Sequence, residues 1–101
     1  MLTPADCQVI EGQTAADEAE FYAAVQRAIN AGAWSWQGHY GRTMMAAIKA
    51  GDCLLGRVAC DDAYGHPIPS RDQVEPGTQG SYAFVAIHRG EPWADRLAAL
   101  S

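Results

Sequence analysis

The amino-acid sequence predicts a mainly α-helical single domain, built from short helices around a long Pro/Gly-rich loop, with a short β element as the alternative that would make the fold α+β. Three observations carry this expectation. Phe21, Tyr22, Val25, Ala28 and Ile29 recur at helical spacing and form one apolar stripe. A second stripe, Met44, Met45 and Ile48, stops at Gly51. The 101 residues are too few for two separate cores, so these stripes must converge on one.

Taken in order, residues 1–13 read as an irregular or extended lead, punctuated by Pro4 and Gly12 and anchored by Val9 and Ile10. Thr14 then offers an N-cap, with Asp17 at the position of a reciprocal capping-box carboxylate, and a helix is expected over 15–31 with Gly32 as its stop. Residues 33–41 hold Trp34, Trp36 and Tyr40 between glycines and read as an aromatic connection into a second helix over 42–50. A short extended segment through Cys53, Leu54 and Leu55 is expected within 52–60. Residues 61–80 contain Pro67, Pro69 and Pro76 among three glycines, too much punctuation for a long element, although Ser70 and Gln73 stand at capping-box spacing for one helical turn around 71–74. In 81–89 the residues Tyr82, Phe84, Val85 and Ile87 suit a strand. Thr78 as a cap and Gly90 as a stop favour a helix, which is the preferred reading. Pro92 fits the first turn of a final helix whose Trp93, Leu97 and Leu100 share one face, with Trp93 packing back on the core.

The formal net charge of −5 is unevenly placed. Asp6, Glu11, Asp17, Glu18 and Glu20 all precede the first basic residue, Arg27, and acids and bases balance from there on. With no Lys/Arg cluster, direct binding to nucleic acid or to an anionic membrane surface is not expected, because both depend on neutralising phosphates. No apolar run could span a bilayer, no signal peptide is legible, and the odd set Cys7, Cys53 and Cys60 suits free thiols in a reducing compartment, so a cytoplasmic location is expected.

Chemistry finds little to hold. Cys53, Cys60 and His66 lack the tight ligand pair of a zinc site, and neither a metal nor a cofactor is expected. Cys60 with His66 or His88 could be drawn as a nucleophile and base, but no catalytic signature surrounds them. The GTQG turn at 77–80 has backbone N–H groups for an anion and lacks the Lys and spacing of a Walker loop. A contact surface is the stronger expectation. The 61–80 loop presents Tyr64, His66, Arg71 and Asp72, and Tyr and Arg are frequent interface anchors. Trp34 and Trp36 add aromatic surface, and Asp17, Glu18 and Glu20 could imitate phosphates toward a basic groove, although the same acids also suit the positive end of a helix dipole.

The segment AYGHPIPSRDQVEPGTQGSYAFV, residues 63–85, resembles stretches in small proteins encoded by phages and other mobile elements, a class that includes anti-CRISPR and other anti-defence inhibitors. The resemblance covers under a quarter of the chain. It implies a stoichiometric inhibitor, free of cofactors, that binds a host defence protein, including complexes that themselves hold nucleic acid. The class shares no common fold or site, so it implies no residue roles. The alternatives are a small-ligand module using Tyr64, Arg71 and the GTQG turn, or a small enzyme using the Cys and His residues around 53–66.

Overall fold

Thr3 opens the first element with a reciprocal cap: its hydroxyl accepts from the Asp6 N–H at 3.2 Å while the Asp6 carboxylate accepts from the Thr3 N–H at 3.2 Å. Helix α1, Pro4–Ile10, follows. The expectation of an irregular lead over 1–13 is therefore corrected. Pro4 occupies a first-turn position, where its missing N–H costs no hydrogen bond, and acts as a starter of the helix. The computed structural model describes residues 2–12, 15–36 and 38–100.

Helix α2 spans Glu18–Asn30, three residues shorter at its start than the stripe suggested. Asp17 itself is the N-cap and accepts from the Glu20 N–H at 2.8 Å; the expected cap Thr14 lies outside the described residues. After a 3-10 turn at Ala33–Ser35, helix α3 runs Gly38–Ala50, a full turn earlier than expected, so that Tyr40 becomes helical and buried. Ile10, Val25, Ile29, Trp34, Met44 and Ile48 form the centre of the main core between these helices. Burial of such side chains stabilises by about 1.5–3 kcal/mol each and is the main source of cohesion here.

The extended segment expected after α3 is held by a side chain and not by a sheet. Gln26, fully buried on α2, donates its amide to Leu54 O at 3.0 Å and accepts from the Leu54 N–H at 2.7 Å. It thus pairs with Leu54 as a neighbouring strand would. Strand β1, Cys60–Asp61, and strand β2, Pro67–Ile68, then form an antiparallel hairpin with Cys60 opposite Ile68 and Asp61 opposite Pro67. The 61–80 stretch is accordingly a hairpin followed by turns, and residues 71–74 form a hydrogen-bonded turn instead of a helical one, closed by Ser70 N–H to Gln73 Oε1 at 2.9 Å.

The ambiguous 81–89 segment is helical, as preferred: α4 spans Tyr82–Arg89. Its cap is Ser81, accepting from the Phe84 N–H at 3.2 Å, in place of Thr78, whose carbonyl instead receives the Ser81 hydroxyl at 2.8 Å. Helix α5, Glu91–Ala98, turns back on α4 around a small second cluster of Leu54, Val85, Ala94 and Leu97. Trp93 docks this pair on the larger body, as expected. Its indole N–H donates to Asp52 O at 3.0 Å, and Arg89 lies over its ring at 4.3 Å while pairing with Asp52 at 2.7 Å and with Glu18. Mainly α is the observed class, with the hairpin as its short β element.

Candidate aromatic cleft

The hairpin tip is built by one carboxylate. Asp62 Oδ1 accepts from the backbone N–H groups of both Tyr64 and His66 at 2.9 Å, and the Asp62 N–H donates to His66 O at 2.9 Å. Gly65 supplies the left-handed residue that this five-residue connection needs, with φ at +79°. These hydrogen bonds, the His66 N–H first, hold the Asp62 carboxyl below its usual pKa. The outcome is a fixed tip from which Tyr64 projects, 86 % exposed.

That tip closes one side of an open cleft of about 370 Å³ between the hairpin and α3. Buried Trp34 and Ile68, with half-buried Met45, form its floor. Trp36, 47 % exposed, and Tyr64 stand as its walls. Trp36 is set by an edge-to-face contact with Tyr40 at 5.4 Å between centroids. Tyr40 is itself fixed, its hydroxyl donating to Glu11 at 2.5 Å; burial first and that carboxylate second push its pKa up. Arg42 on α3 and Asp62 on the hairpin complete the rim.

The fold thus brings Tyr64 to the cleft of Trp34 and Trp36, although it lies far from them in the chain. His66 sits beside the tip, its ring 6.3 Å from that of Tyr64 and its Nδ1 3.5 Å from Asp62. Arg71 is half-buried and tied inward: Nε donates to Leu55 O at 2.8 Å and Nη2 to Asn30 Oδ1 at 3.2 Å. Together with exposed Asp72 it lines a different cavity, near Ser81 and Tyr82, so Tyr64 and Arg71 do not share a pocket.

The acidic start is largely engaged within the molecule. Asp6 is buried and paired with Arg27 at 3.0 Å, Glu11 holds Tyr40, Asp17 caps α2 and Glu18 pairs with Arg89, whereas the exposed Glu20 side chain has no ion pair among the described residues. None of these acids lines the cleft. Among the described residues no three His, Cys, Asp or Glu side chains are grouped so as to hold a metal ion. Burial pushes the thiols of Cys53 and Cys60 up in pKa, which disfavours the thiolate that nucleophilic attack requires.

Arg42 is a cleft residue that carried no signal in the sequence, and Met45 was legible there only as part of an apolar helical stripe. Asp62 could have been read there as a turn former, because Asp followed at short range by Gly is the composition of such a connection. Compared with protein-family models, with curated proteins and with solved structures, the chain matches none. No helix among the described residues is long and apolar enough to cross a membrane.

Proposed function

We propose that this chain is a small binding protein, encoded by a phage or another mobile element, that inhibits a host defence protein in the bacterial cytoplasm by stoichiometric contact. One observation above all supports the reading: Trp36 and Tyr64, two large aromatic side chains, stand exposed on the walls of one cleft while their backbones are held in place. Exposed aromatics on a rigid frame are the side chains that contribute most to protein interfaces, because they bury large area at little cost in ordering. The exposed acid Glu20 suits a partner with a basic, nucleic-acid-binding surface.

The test is phage plating on a panel of bacterial strains, each carrying one active defence system and expressing the chain. The wild-type chain should restore plating on one member, and the purified protein should bind that system's effector at a fixed stoichiometry. Trp36→Ala combined with Tyr64→Ala should abolish both effects while the helical circular dichroism is retained. Absence of restoration across the panel, or full restoration by the double variant, would overturn the proposal.

A further inference from the structure

Arg42 differs from every other arginine among the described residues. Arg27 pairs with Asp6, and Arg89 pairs with Glu18 and Asp52. Arg57 donates to Ala98 O and Leu100 O, and Arg71 donates to Leu55 O and Asn30. Arg96 lies over the Trp93 ring at 4.9 Å. Arg42 has no ion pair, hydrogen bond or ring partner among the described residues, and it is the guanidinium on the rim of the aromatic cleft. An exposed arginine beside two aromatic walls presents a planar fork of donors suited to a carboxylate.

We infer that the cleft takes an aromatic side chain of the partner protein, seated between Trp36 and Tyr64, together with an adjacent carboxylate that pairs with Arg42. This rests on the proposed reading that the cleft faces a protein. The volume of about 370 Å³ is near the lower end of ligand pockets and suits one ring and a short polar extension. The apolar floor of Trp34, Met45 and Ile68 provides for the ring. Charge complementarity selects the second group, since Arg42 is the cation on the rim. The one anion there, Asp62, turns Oδ1 to the Tyr64 and His66 N–H groups at 2.9 Å and Oδ2 toward the His66 ring at 3.5 Å, and it forms no ion pair with Arg42 among the described residues. The carboxylate is that of an Asp or Glu next to the aromatic residue in the partner's sequence, because such a pair needs no free chain end at the interface.

The experiment titrates three probes into isotope-labelled protein and follows the Trp36 indole N–H and the Arg42 Nε–H by NMR. N-acetyl-tryptophan carries a terminal carboxylate, N-acetyl-Trp-Asp-amide carries a side-chain carboxylate, and N-acetyl-tryptophanamide carries neither. N-acetyl-Trp-Asp-amide should saturate with a Kd about tenfold below that of N-acetyl-tryptophanamide and below that of N-acetyl-tryptophan. Arg42→Gln should remove the preference without changing helical content, whereas Tyr64→Ala should weaken all three probes. The inference is overturned if no probe gives a saturable shift, if the amide or N-acetyl-tryptophan binds as tightly as the Trp-Asp probe, or if Arg42→Gln keeps the preference. Failure here, with plating still lost in the Trp36/Tyr64 double variant, would leave the inhibitor reading standing; probe binding without restored plating on any strain would refute that reading alone.

Discussion

Replacing Gln26 by Met tests what holds the 53–56 segment against α2. Gln26 is fully buried, and its amide is the partner of both the N–H and the C=O of Leu54, at 2.7 and 3.0 Å. Neither Leu54 group has a backbone partner among the described residues. Methionine has nearly the same length and shape, so packing is largely kept while two buried backbone groups lose their bonds. At about 1–3 kcal/mol for each group left unsatisfied, the expected loss is about 2–6 kcal/mol. For a domain of this size each kcal/mol corresponds to about 4–8 °C in Tm, so even the lower figure lowers Tm by about 8 °C. Thermal and urea unfolding followed by circular dichroism give both numbers. Gln26→Glu supplies the control: at neutral pH the new carboxylate has no donor for Leu54 O, whereas its protonated form does. The folded state therefore raises the pKa of this carboxyl. Its stabilising contribution is present below the unfolded value and is lost as pH rises through the folded one, so this variant alone should gain stability relative to the wild type on acidification. A Gln26→Met variant melting within about 3 °C of the wild type would refute the reasoning.

Three further outcomes are expected. Gly80→Ala should cost about 2–5 kcal/mol, because φ is +89° and the new Cβ would lie 2.4 Å from the buried Leu55 side chain; Gly77→Ala, at φ +90° with open space around it, should cost only the strain of about 1–2 kcal/mol, and equal melting of the two variants would exclude the clash. The Asp62 carboxyl has a lowered folded pKa, so the order it confers on the tip is complete above the usual carboxylate pKa of about 4 and is lost as pH falls through the folded value; Tyr64 and His66 amide exchange should accelerate there, with Asp62→Ala showing the fast exchange at every pH. Arg89→Met should loosen the α4–α5 pair from the main body, read as faster hydrogen exchange in α5 while α2 amides stay protected; uniform exchange across both helices would show that the guanidinium is not the link.

What the sequence determined by itself is the set of elements whose hydrogen bonds close within one turn. The stripes of α2 and α3, the stop at Gly32 and the final helix behind Pro92 follow from neighbours three and four residues apart, and so does the helical state of residues 82–89 despite their β-rich composition. Even α1 is written locally, in Thr3, Pro4 and Asp6, where Pro4 punctuates the sequence as a helix starter. Of the cleft, Trp34, Trp36 and Tyr64 were legible as aromatic contact residues, but not their meeting. Tertiary structure alone decided that the hairpin packs beside the Ala33–Ser35 turn and faces α3 across a cleft, that Gln26 serves as a strand for Leu54, and that Arg71 is tied inward while Arg42 is left at the rim. The physical reason is the range of the interactions. A cap or a helical turn is selected by a few adjacent residues, whereas the partner of a buried amide or a guanidinium is whichever distant backbone the packed core delivers to it, and that depends on every element at once.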